Sequence, residues 1–122
     1  MSEEQTGELV HVLMAEDSPT DAELAQLALQ EAKVRIDLKV VEDGIETLAY
    51  LRKEGQYQNA KTPDVILLDL NMPRMDGREA LLEIRKDPAL KKIPVVILTT
   101  SDAQEDVDRA YESAVNAFVT KP

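Results

Sequence analysis

Residues 64–77 read D-V-I-L-L-D-L-N-M-P-R-M-D-G, and no other stretch constrains the fold as strongly. Val65, Ile66, Leu67 and Leu68 lie between two aspartates, and Leu70 follows the second, Asp69. A run this short and this apolar suits a strand buried on both faces of a parallel sheet. Pro73 and Gly77 then turn the chain into a loop. Asp69 therefore stands where a buried strand ends, at the carboxyl edge where open α/β sheets bind ligands. Taken alone, Asp69 reads equally well as a loop carboxylate capping the next helix. Asp76, directly before Gly77 and a helical pattern, fits that plainer role better.

The rest of the chain repeats the same unit. Leu9–Ala15 is an apolar run that ends in Glu16-Asp17. His11 sits early in that strand, far from Glu16, and reads as structural. Ser18-Pro19-Thr20-Asp21 carries a hydroxyl cap, an early proline and an acidic first turn, so it opens a helix. Leu24, Leu27, Ala28 and Glu31 share one face of that helix, with Ala25, Leu29 and Ala32 beside it. In Ile36–Val41, Asp37 and Lys39 alternate with Ile36, Leu38 and Val40, as in a half-exposed edge strand.

Asp43-Gly44 reads as a turn before a helix whose apolar face is Ile45, Leu48, Ala49 and Leu51. Glu54 to Pro63 is a polar loop. A helix after Gly77 uses Leu81 and Ile84 as its core side, flanked by Ala80 and Leu82, and Pro88 closes it. Pro94–Leu98 is a second fully apolar strand, ending in Thr99-Thr100-Ser101. Asp102 is placed to start a helix with Val107, Ala110, Tyr111 and Ala114 on one face. Ala117-Phe118-Val119 is the last strand, followed by Thr120-Lys121-Pro122. Strand and helix alternate throughout, which implies a doubly wound α/β fold: a five-stranded parallel sheet with helices on both faces.

Composition narrows the function classes. The 122 residues suffice for one domain, and hydrophobic residues at 43% make it globular. There is no cysteine, which excludes disulfides, thiol catalysis and thiolate metal sites and favours a cytoplasmic setting. The net charge of -10 argues against a nucleic-acid partner, and no apolar run reaches membrane-spanning length. Residues 1–8 are polar and expected to be flexible.

What the strand ends bring together is specific. The first gives Glu16 and Asp17, the third Asp69, the fourth Thr99 and the fifth Lys121. Converging carboxylates repel and call for a counter-charge. With oxygen ligands and neither thiolate nor further histidine, a hard divalent cation such as Mg²⁺ fits. Metal, lysine and hydroxyl can each neutralise one oxygen of a phosphoryl group, and a carboxylate can serve as the nucleophile. Singly, each residue has an ordinary reading: a cap, a strand residue, a solvated lysine.

Glu16-Asp17, the stretch from Asp64 to Gly77, then I-P-V-V-I-L-T-T-S and finally Lys121-Pro122 resemble the receiver domain of two-component response regulators, over residues 9–122. R-K-E-G-Q-Y at 52–57, D-G-R-E-A-L at 76–81 and L-T-T-S-D at 98–102 look closer still to single-domain regulators that partner phytochrome-type histidine kinases. The resemblance implies a flavodoxin-like strand order 2-1-3-4-5 and a phosphoacceptor signalling domain rather than an enzyme, receiving its phosphoryl group from a histidine kinase. It implies Asp69 as phosphoacceptor. Mg²⁺ would be held by Asp17, Asp69 and the Asn71 backbone carbonyl, and by Glu16 through a water. Thr99 and Lys121 would bind phosphoryl oxygens. Phe118 would stand at the switching aromatic position, paired with Thr99, without the hydroxyl that a tyrosine offers.

The family's fifth helix is missing after Pro122, so a bare apolar patch and self-association are expected. Three other readings stand beside this one. A haloacid dehalogenase-type phosphatase wants an acid two positions after the nucleophile, where Asn71 stands. A flavodoxin-like carrier wants a glycine-rich phosphate loop that Glu16-Asp17-Ser18-Pro19 does not supply. A degenerate receiver that only binds partners is opposed by the complete Asp17, Asp69, Thr99 and Lys121 set.

Overall fold

The structure, a computed structural model, describes residues 9–31, 35–69, 72, 74, 75, 77–98, and the backbone of 99 and 117–120. In chain order the elements are β1 (Val10–Ala15), α1 (Pro19–Gln30), β2 (Ile36–Val41), α2 (Gly44–Leu51), β3 (Val65–Asp69), α3 (Gly77–Lys86), β4 (Val95–Thr99) and β5 (Ala117–Thr120). The first four strands run parallel in the order β2-β1-β3-β4, and the backbone of β5 pairs with β4 in the same sense. The expected helix at Asp102–Ala114 lies outside the described residues, as do residues 1–8.

The two faces of the sheet differ. One face carries Leu13, Ala15, Val41, Ile66, Leu68, Val95 and Ile97, all buried, and α2 and α3 close over it with Leu48, Leu51, Ala80, Leu81 and Ile84. On the other face Val12 and Met14 are buried, and so is Ala22 of α1. Further along that face Val65, Leu67, Val96 and Leu98 are only half buried. The expectation of burial on both faces therefore holds for β1 and only in part for β3 and β4. Alternate residues of one strand face different layers, so an apolar run does not report how completely each layer is covered.

The helix faces need correction as well. Ser18 caps α1, its Oγ accepting from the Asp21 N–H, with Pro19 at the first helical position. That phase turns Ala22, Ala25 and Leu29 inward and leaves Leu24 and Leu27 exposed at 44% and 57%. Ala28 and Glu31 are exposed with them. Small alanines let the helix approach the sheet, which the bulkier leucines would hold off.

Asp43-Gly44 is not a free turn: Asp43 is the N-cap of α2 and Gly44 its first residue. The inner face is then Gly44, Thr47, Leu48 and Leu51, with Tyr50, and Ile45 lies outside at 46%. In β2 the buried residue is Val41 and Val40 is exposed, because the α2–α3 core takes the residue paired with Ala15. The 54–63 loop contains a 3₁₀ turn at Gly55–Tyr57, and Tyr57 and Ala60 pack against the core. His11 pairs with Asp37 at 3.2 Å, and its N–H donates to Asp64, consistent with a structural role.

Neighbouring leucines on α3 should behave oppositely under truncation. Leu81 is fully buried and Leu82 is 47% exposed. Leu81→Ala should cost about 2–5 kcal/mol in chemical denaturation, and Leu82→Ala no more than about 0.5 kcal/mol. Equal losses would contradict this packing.

Candidate cation and phosphoryl site

Sheet register brings Glu16 and Asp69 together. Ala15 pairs with Leu68 across β1 and β3. The next residues, Glu16 and Asp69, therefore leave the sheet side by side. Asp69 in turn pairs with Leu98, so Thr99 is one step beyond it on β4. Because neighbouring parallel strands are about 4.8 Å apart, residues at equal height on adjacent strands share one local environment.

One carboxylate oxygen each from Glu16, Asp17 and Asp69 lies within 4.8 Å of the others. Glu16 and Asp69 are buried, at 3% and 2% exposure, and Asp17 is exposed. Glu16 is held from both ends: its N–H donates to the Val41 carbonyl at 2.9 Å, and its Oε2 accepts from the Ser18 N–H at 3.1 Å. The cap of α1 and the acidic site thus share the same four-residue turn.

The donor set suits a hard divalent cation. All three ligand atoms are carboxylate oxygens, and one flank is open to solvent through Asp17. Oxygens around an octahedral Mg²⁺ stand about 2.9 Å or about 4.2 Å apart, depending on whether they are adjacent or opposite. Small side-chain rotations span the difference from the observed spacing. The exposed flank leaves room for the waters that Mg²⁺ retains.

Of the other residues named from the sequence, Thr99 closes β4 and Phe118 lies in β5, both by backbone position. Thr99 and Thr120 are register partners. Asn71, Lys121 and the Lys121–Pro122 bond lie outside the described residues.

The sequence reading did not single out Arg74. Its Nε donates to Asp43 Oδ2 at 2.7 Å, and its Nη2 donates to the same oxygen. Asp43 Oδ1 accepts from the Glu46 N–H at 2.8 Å. The D-x-x-E spacing of Asp43 and Glu46 is a legible capping signal, but nothing in the sequence announces the partner arginine.

Comparison with known proteins agrees with this geometry. The family profile described as "Response regulator receiver domain" matches residues 12–122. Response regulator Rcp1 of Synechocystis sp. is 46% identical over 110 residues, 90% of this chain and 75% of the relative. The crystal structure of the Mn(2+)-bound form of response regulator Rcp1 superimposes with a TM-score of 0.85 at 44% identity, covering 93% of this chain and 81% of the other. The crystal structure of the phosphorylated cyanobacterial phytochrome response regulator RcpA gives 0.86 at 47% identity, with 94% and 82% covered.

Mutual repulsion among the three carboxylates generates a test. In EDTA, Asp17→Asn should raise stability by about 1 kcal/mol, the Coulomb energy of one such pair in near-aqueous surroundings. Saturating Mg²⁺ should cancel or reverse that gain, because the wild-type site then binds a ligand. Thermal melts in both conditions measure it. A variant less stable than wild type in EDTA would contradict the repulsion.

Proposed function

The chain belongs to the response regulator receiver domain family, and on that footing we propose that residues 9–122 accept a phosphoryl group on Asp69 from a histidine kinase. The single observation that carries the reading is the buried Asp69 carboxylate within 4.8 Å of Glu16 and Asp17 at one edge of the sheet. An Asp69 oxygen attacks the phosphorus of a phosphohistidine, the phosphorus–nitrogen bond breaks, and the histidine nitrogen leaves and takes up a proton. Asp17, Asp69 and the Asn71 carbonyl would hold the cation, with Glu16 acting through a water. Mg²⁺ bound there would supply positive charge opposite the phosphoryl oxygens. Thr99 bonds one phosphoryl oxygen and Lys121 pairs with another, while Thr99 and Phe118 carry the change of state to the β4–β5 side.

That RcpA is a phytochrome response regulator supports a phytochrome-type kinase as the donor, and the absence of cysteine supports a cytoplasmic setting. No helix among the described residues is long and apolar enough to cross a membrane. The exposed Leu24 and Leu27, with half-buried Val65, Leu67, Val96 and Leu98, support pairing between copies of the chain. Sedimentation at micromolar concentration reads that pairing directly, and a monomer there removes it.

Incubation with acetyl phosphate and Mg²⁺ should add one phosphoryl group by mass spectrometry. Asp69→Asn, or EDTA, should abolish the adduct, since the first removes the nucleophile and the second the counter-charge. Equal labelling of wild type and Asp69→Asn would sink the assignment. A wild-type chain that never labels would favour a receiver that only binds partners.

A further inference from the structure

The loop after Asp69 is held in place by α2. Met72 is buried in the core on the α2–α3 side, so the chain is anchored three residues past Asp69. Two residues later the Arg74 guanidinium donates through Nε and Nη2 to Asp43. Asp43 is 3% exposed and also caps α2. At the next position the Met75 carbonyl accepts from the Gly44 N–H at 2.8 Å. The approach is close enough that a Cβ on Gly44 would lie 2.5 Å from the Met75 oxygen. Arg74 adopts φ 63°, a left-handed conformation that is uncommon for residues other than glycine. The loop is thus pinned by an ion pair, a backbone hydrogen bond and a glycine contact, all on the first turn of α2.

We propose that Arg74 and Asp43 are positioning residues for the cation site, presetting the backbone that follows Asp69. The inference rests on the phosphoacceptor reading above. Asn71, the backbone ligand of that reading, falls between Asp69 and Met72 in sequence. Holding Asp69 at the end of β3, and Met72, Arg74 and Met75 against the core and α2, lowers the ordering cost that cation binding would otherwise carry. Arg74 itself touches no reacting atom.

The sign of one mutation separates positioning from simple charge. Arg74→Ala deletes a cation near an acidic site, so electrostatics alone would tighten binding of a divalent cation. Loss of positioning should weaken it instead, by about tenfold, as removal of outer-shell supports does. Mn²⁺ serves as the probe, titrated while the free ion is followed by electron paramagnetic resonance, with melting temperatures recorded in parallel. Arg74→Lys keeps the charge opposite Asp43 but loses the planar fork, and should recover part of the affinity. Ile84→Val, a core change that leaves the Arg74–Asp43 pair in place, should lower the melting temperature and leave Mn²⁺ affinity unchanged.

Weaker Mn²⁺ binding in Arg74→Ala with recovery in Arg74→Lys supports the proposal. Unchanged or tighter binding in Arg74→Ala, with normal wild-type binding, overturns it and leaves the phosphoacceptor reading intact. Weakening by Ile84→Val to the same extent also overturns it, because affinity would then follow stability alone. A wild-type chain that binds no Mn²⁺ overturns both readings.

Discussion

The parallel register between β1 and β3 is the constraint on which the site depends. Ala15 stands opposite Leu68, so Glu16 and Asp69 emerge together. Both strands are buried where they meet, with Leu13, Ala15, Ile66 and Leu68 fully covered. A slip of one residue would turn each of those side chains to the other face of the sheet. The hydrophobic core therefore fixes the acidic cluster, and does so before any cation binds. Three carboxylates so close together oppose folding on their own. Apolar burial on the α2–α3 side offsets that repulsion and keeps the site in a state that a cation relieves.

The core that fixes the site is one-sided. Side chains facing α2 and α3 are almost entirely buried, while Val65, Leu67, Val96 and Leu98 on the other face stay partly open. The closed layer also holds the loop that follows Asp69, through Met72 in the core and through Arg74 and Met75 on the start of α2. Strand β3 and its loop are thus braced from one direction. Helix α1 serves the opposite end of the site: its cap residue Ser18 donates its backbone N–H to Glu16.

Much of this was legible before the structure. The apolar runs at 65–68 and 95–98 are too short for helices, and the alternation of elements leaves a parallel sheet as the one economical fold. Since every parallel strand ends on the same edge, Glu16, Asp17 and Asp69 had to come near one another. The helix faces were less legible. Leu24 and Leu27 look like core residues by hydropathy, yet the cap at Ser18 and the small Ala22 and Ala25 set the contact. Ile45 reads as inward for the same reason, whereas Asp43 as a cap turns it outward. The Arg74–Asp43 pair had no local signature, because its partners are brought together by the tertiary path of a loop.

The account's central claim is that the β1–β3 register sets Glu16 beside Asp69, and that with Asp17 they form one cation site. Nuclear magnetic resonance of the ¹⁵N-labelled chain during addition of substoichiometric Mn²⁺ tests it most directly, because the paramagnetic ion broadens only nearby amides. Resonances of residues 16, 17 and 69 should disappear first and return when excess Mg²⁺ displaces the probe. Broadening that begins at other acidic positions, such as Glu83 and Asp87 on the far side of the fold, or that spreads evenly over the chain, would contradict it.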